Sequence, residues 1–218
     1  MNKLNIFMMH YTPLKDRKTF QIKQLKQFGL ENLKFIEMFD KESLTETELS
    51  KFNTNKLKLS EISLFKKHMY ALNLIVKGDC NYNLIFEDDV VLHKKFNEML
   101  KISFKELPND YDMFFIGDGC NLHIPLSKRK PGQFVYKKGR EPEPGCGAGA
   151  TRCADSIFIS KKCAKKICDF YENIEHINLS YDWWLNMVIR ELKLDVYWLE
   201  PTIVTQGSES NFFKSSVR

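Results

Sequence analysis

Residues Leu84-Ile85-Phe86 form an apolar run that ends abruptly in Glu87-Asp88-Asp89, and Val90-Val91 resume the apolar pattern at once. A strand that is hydrophobic throughout belongs in the middle of a sheet, covered on both faces. Three adjacent carboxylates at its end repel one another and cost stability. A divalent cation, which takes hard oxygen ligands, is the simplest agent that offsets this. Open α/β sheets bind ligands at the carboxyl ends of their strands. The feature therefore points to metal-dependent chemistry on a phosphorylated substrate.

The chain of 218 residues suits a single domain over 1–218 with a sizeable core. An apolar fraction of 43% with 17 Phe fits a folded globular protein. The net charge of +5 suits a small anionic substrate and is too weak to argue for nucleic acid. The six cysteines show no C-x-x-C pair and no zinc-type spacing, so free thiols in a reducing compartment are expected. No stretch approaches the ~20 apolar residues of a membrane span, and Met1–Met9 lacks signal-peptide character. These features place the protein in the cytoplasm, with peripheral contact to a membrane left open.

Strands are expected at Leu4–Met9, Leu33–Met38, Leu84–Phe86, Met113–Ile116, Ile157–Ile159 and Val196–Leu199. Helical spacing covers Asp16–Phe28, stopped by Gly29, and runs from a Ser60-Glu61 cap to Val76. Further helices are expected at Lys94–Phe104, Lys161–Tyr171 and after Tyr181. The alternation indicates an α/β domain with a largely parallel sheet. Residues 117–149, rich in Gly, Pro, Lys and Arg, read as long loops or a small hairpin. Within and beside them, Gly145 to Thr151 reads as a flexible hinge beside the site or as a plain loop, and Lys128-Arg129-Lys130 with Lys137-Lys138 read as a solvated basic surface or a lid over a pyrophosphate.

Four segments in this order resemble glycosyltransferase family 25, which includes lipooligosaccharide and collagen galactosyltransferases. They are Ile6–Thr12 leading to Asp16-Arg17, Leu59–His68, the acidic motif Leu84–Val90, and a stretch from Ile159–Ala164 through Tyr181-Asp182 to Pro201–Gln206. Ser63, Lys67 and Ile157 depart from the family pattern. The resemblance implies a GT-A-like fold, with a mostly parallel mixed sheet flanked by helices. It also implies a UDP-sugar donor carrying galactose or glucose, Mn²⁺ or Mg²⁺, inversion at the anomeric carbon, and a glycan or hydroxylated protein as acceptor.

In that frame Asp89 and Glu87 are candidate metal ligands. Asp88, Thr12, Arg17, Asp40, His68 and Gln206 are candidate donor contacts. Inverting transfer needs a base within reach of the acceptor hydroxyl, and Asp182 is the candidate. Trp183 and Trp184 beside it read either as core or as a face for an acceptor sugar. Two other classes fit parts of the pattern. A sugar-phosphate nucleotidyltransferase would carry a Gly-rich basic loop after the first strand, which His10-Tyr11-Thr12-Pro13 does not supply. A non-catalytic, glycosyltransferase-like binding module is the other.

Overall fold

The computed structural model describes residues 4–143 and 149–214. In chain order the elements are β1 (Leu4–Met9), α1 (Lys15–Gln27), β2 (Leu33–Ile36), α2 (Glu46–Leu49), α3 (Leu59–Lys77), β3 (Tyr82–Glu87), β4 (Val90–Leu92), α4 (Phe96–Glu106), β5 (Met113–Phe115), β6 (Val135–Lys138), β7 (Ser156–Ile159), α5 (Lys161–Glu172), α6 (Tyr181–Glu191), β8 (Val196–Leu199) and β9 (Val204–Gln206). Seven strands form one sheet in the order β2-β1-β3-β7-β5-β8-β6. The pairs β1–β2, β1–β3 and β5–β8 are parallel, while β7 and β6 run against their neighbours. This is the mostly parallel mixed sheet flanked by helices that the family resemblance implied.

Successive side chains on a strand face opposite ways, so a central strand must be apolar on both faces. Leu84, Ile85 and Phe86 are all fully buried. Leu84 and Phe86 join Ile6, Met8, Phe114 and Phe158 in one core, beside Leu25 of α1 and Leu100 of α4. Ile85 joins Phe7, Met9, Phe115 and Ile157 in the other core, under α3, α5 and α6.

Several expectations are corrected locally. The N-cap of α3 is Lys58, not Ser60, and Glu61 turns back to accept the Lys58 backbone N–H at 2.8 Å. The second strand ends at Ile36, because Phe39 has a left-handed φ of 67° that breaks the extended chain. Residues 117–143 are pinned down instead of forming a free lid. Strand β6 adds to the sheet edge beside β8, Lys138 is buried with Glu143 at 3.3 Å, and Arg129 pairs with Glu200 at 3.1 Å. Lys128 meets Glu143 and Lys137 meets Asp195, so these cations balance acids of the same region. Of the Gly145–Thr151 segment, residues 145–148 lie outside the described residues.

The short pair β4–β9 is the element that shapes the site. Val90↔Gln206, Val91↔Thr205 and Leu92↔Val204 pair antiparallel immediately after the acidic turn. Gln21 and Gln24 of α1, both buried, hold this turn from behind. Gln21 Nε2 donates to the carbonyls of Asp88 (3.0 Å) and Val90 (2.8 Å), and Gln24 Oε1 accepts the Leu92 N–H at 2.9 Å. Among the described residues, no helix is long and apolar enough to cross a membrane.

Candidate active site

The carboxyl ends of β1 and β3, the N-terminal half of α3, the loop after β5, the residues just before β7, the N-terminus of α6 and the residues after β9 meet around a cavity of about 290 Å³. Of the nine site residues expected from sequence, Arg17, Glu87, Asp88, Asp89, Asp182 and Gln206 line it. Thr12, Asp40 and His68 do not.

The three acids of the turn have distinct surroundings. Asp88 is held on every side: its Oδ2 lies 2.7 Å from His10 Nδ1 and accepts the Tyr11 N–H at 3.3 Å, and its Oδ1 accepts from Arg17 at 2.7 Å. Burial pushes this carboxyl up, but His10 and Arg17 more than reverse the effect and keep it below its ordinary value. Arg17 also donates to the carbonyl of Lys214 and lies 5.1 Å from the Phe213 ring centroid, which ties residues 207–214 across the turn. Gly207 permits this close crossing, since a Cβ there would stand 2.5 Å from the Asp89 carbonyl. Asp88 and Arg17 thus form an internal pair that fixes the turn.

Asp89 is also buried, yet only its Oδ2 has a partner, the Ser208 N–H at 3.3 Å, and Oδ1 has none. Burial raises its carboxyl despite the contact with Ser208. Glu87 is raised well above the usual carboxylate range by burial, then by Asp89, Asp155 and Asp182.

Asp155 was not anticipated from sequence. The β3–β7 register places Phe86 opposite Ser156, and the Glu87 N–H donates to the Asp155 carbonyl at 2.9 Å, so the two acids are neighbours across strands. Asp155 is 1% exposed; Oδ2 accepts from Ser156 Oγ at 2.8 Å, and Oδ1 is unpartnered. Burial, with Asp89 and Asp118 adding, lifts its carboxyl to about 7. The available signal was an acid separated by one residue from the short apolar run Ile157–Ile159, much as Glu87 directly follows one.

The remaining expected residues surround this cluster. Asp182 lies in the first turn of α6 with Oδ1 accepting from Ser180 Oγ at 2.7 Å. Trp184 is core, whereas Trp183 is 54% exposed. His68 is fully buried, so it does not reach the cavity as a nucleotide contact. Its ring stacks on Tyr181 at 4.0 Å, its Nε2 lies 3.8 Å from Glu87 Oε1, and burial depresses it to about 3. Asp40 accepts from Thr12 and from the buried Lys67 at 2.6 Å, and Lys67 Nζ also donates to the His10 carbonyl at 2.7 Å. The trio braces the end of β1. Lys67, noted from sequence only as a departure from the family pattern, is its centre.

The model of glycosyltransferase family 25 (LPS biosynthesis protein) matches residues 4–130, more than half of the chain, including β1, α3 and the acidic turn. The chain belongs to glycosyltransferase family 25. Comparison of this family 25 member with curated proteins found no match. Similar solved structures include A197 from STIV, at 14% identity and TM-score 0.44 over 90% of this chain and 82% of that one. Galactosyltransferase LgtC, in complex with donor and acceptor sugar analogues, is similar at 10% identity and TM-score 0.47 over 89% and 73%. The inositol-1-phosphate CTP transferase from T. maritima is similar at 11% identity and TM-score 0.47 over 94% and 90%.

Whether the acids fit a cation can be judged from their oxygens. Among the described residues, no three His, Cys, Asp or Glu side chains converge as a closed ligand set. Two buried carboxylate oxygens, Asp89 Oδ1 and Asp155 Oδ1, nevertheless lack partners. One or two carboxylates completed by substrate phosphates is the usual way a phosphate-bound Mg²⁺ is held. The residues present fit that kind of site.

Proposed function

We propose that this family 25 protein transfers a hexose, galactose or glucose, from a UDP-sugar to a hydroxyl of a glycan or hydroxylated protein, with inversion and with Mn²⁺ or Mg²⁺. The observation that supports this best is the shared cavity. It brings an under-compensated acidic turn at the end of β3 together with a free-standing carboxylate, Asp182, on a different element.

Asp89 and its neighbouring acids would hold the cation; when bound, it neutralises charge on the departing UDP. The chain's own residues do the rest. His10 and Arg17 fix Asp88, and through it the turn, so that Asp89 stays in place without rearrangement. Preorganisation of this kind is what positioned charges contribute to catalysis. Asp182 takes the proton from the acceptor hydroxyl as that oxygen attacks the anomeric carbon opposite the diphosphate. Ser180 orients the carboxylate by occupying Oδ1 and leaving Oδ2 for the acceptor. Trp183, exposed one residue later, offers an aromatic face to the acceptor sugar.

The test is release of UDP from UDP-galactose and UDP-glucose, with and without Mn²⁺. Asp182→Asn should lower turnover by about 10²–10⁴-fold while UDP affinity stays within twofold. Unchanged turnover would remove Asp182 from the chemistry, and no release from any UDP-sugar would leave the non-catalytic binding module.

A further inference from the structure

Resting on that reading, we infer that Asp155 is a ligand of the cation: the ion sits between Asp89 Oδ1 and Asp155 Oδ1, and Asp88 takes no part in holding it. Asp88 has no capacity left, since its oxygens already meet His10, Tyr11 N–H and Arg17. The unused oxygens are on Asp89, 4% exposed, and on Asp155, 1% exposed. A buried carboxylate oxygen without a partner is costly, and Asp155, whose backbone carbonyl takes the Glu87 N–H and whose carboxyl feels the charge of Asp89, leaves one such oxygen beside the other acids for a cationic occupant.

The backbone also packs closely around Asp155. Gly117 and Gly119 wrap the carboxylate so closely that a Cβ at Gly119 would stand 2.9 Å from Oδ1, and one at Gly117 would stand 2.4 Å from Oδ2. The same Cβ would stand 2.4 Å from the Arg152 carbonyl and 2.7 Å from Cys153 Cβ, so only a glycine at 119 lets the backbone pass this close to the carboxylate. The β3–β7 pairing then carries Asp155 to the strand end that bears the acidic turn. With two protein carboxylates supplied, the diphosphate oxygens of the donor complete the shell, which accounts for the lack of a closed three-residue set.

Mn²⁺ binding in the presence of UDP, followed by loss of the free-ion electron paramagnetic resonance signal, tests this. Asp155→Asn should bind Mn²⁺ at least about tenfold more weakly than the wild type. Without ligand, the variant should melt no lower than the wild type, because it removes like-charge repulsion. Wild-type affinity in the variant would overturn the assignment while leaving the UDP-sugar reading intact. Absence of Mn²⁺ binding by the wild-type protein would instead remove the reading on which it rests. If Asp155→Asn does not fold, the wild type crystallised with Mn²⁺ and UDP decides. An anomalous peak about 2.1 Å from Asp155 Oδ1 is expected, and an ion held by Asp89 or Asp88 without Asp155 would contradict the inference.

Discussion

Glu200 and Asp155 are both carboxylates with almost no exposure, at 3% and 1%, yet their surroundings are opposite. Glu200 is saturated. It pairs with the guanidinium of the fully buried Arg152 and with Arg129 at 3.1 Å, meets His123 at 3.2 Å, and accepts the Ile124 N–H at 2.9 Å. Arg152 in turn donates to the carbonyls of Leu122 (2.6 Å) and Leu199 (2.9 Å) and lies 4.4 Å from the Trp198 ring centroid. Asp155 instead faces other acids and has an oxygen with no partner. The saturated cluster fastens residues 122–129 and Arg152 to the sheet. The under-compensated one lies across from Glu87, which lines the cavity, and the protein carries its cost as a site does.

Replacing one partner in each cluster should therefore move stability in opposite directions. Arg152→Leu takes from the buried Glu200 its most deeply buried cation, leaving Arg129 and His123, and is expected to cost about 3–5 kcal/mol in urea denaturation, the largest effect here. Arg152→Leu with Glu200→Leu should recover part of that loss, since an apolar pair removes the under-compensated buried carboxylate. Equal losses in the single and double variants would show that the packing, not the charge, fastens the segment. Asp155→Asn has the opposite expected sign in the absence of ligand.

A smaller effect is expected at His68, behind Glu87. Its folded-state value is about 3 against an ordinary 6.5, because burial disfavours the charged ring. Between those values the unfolded chain binds the proton and the folded chain does not. The stabilisation is therefore complete above about 6.5 and declines as pH falls toward 3, by up to ~1.4 kcal/mol per pH unit. Raised carboxyls such as Asp155 act the other way, costing stability as pH rises from 3.8 to about 7, so the comparison must be made against a variant. His68→Leu should flatten the acid-side decline relative to the wild type. Parallel pH profiles would mean that His68 titrates normally and is not sealed by Tyr181.

The acidic turn was legible in the chain; the contrast between the two buried acids was not. The Leu84–Phe86 run is dense enough to require a strand buried on both faces, and the acids that end it could only lie at a sheet edge near ligand. Asp182 stood out because a helix starts there. What was hidden depends on long-range pairing. Asp155 is one acid before a four-residue strand, and its meaning comes from a partner strand about seventy residues away. Val90–Leu92 and Val204–Gln206 are too short to announce a sheet, and each becomes a strand only beside the other. Likewise nothing local tells that Asp88, between two exposed-looking acids, is the one turned inward to Arg17, or that Arg152 is buried. Spacing located the site, while the partners of each acid had to come from the fold.

The most direct test of the acidic turn as a UDP-sugar metal site is thermal unfolding with UDP, Mn²⁺ and both together, in the wild type and in Asp89→Asn. Ligands that bind the folded state stabilise it by about 2.7 kcal/mol at 100 times their Kd. A rise in Tm with UDP that requires Mn²⁺, and that is lost in Asp89→Asn, is the expected result. A UDP-dependent rise of the same size without metal, or one that survives in Asp89→Asn, would contradict it.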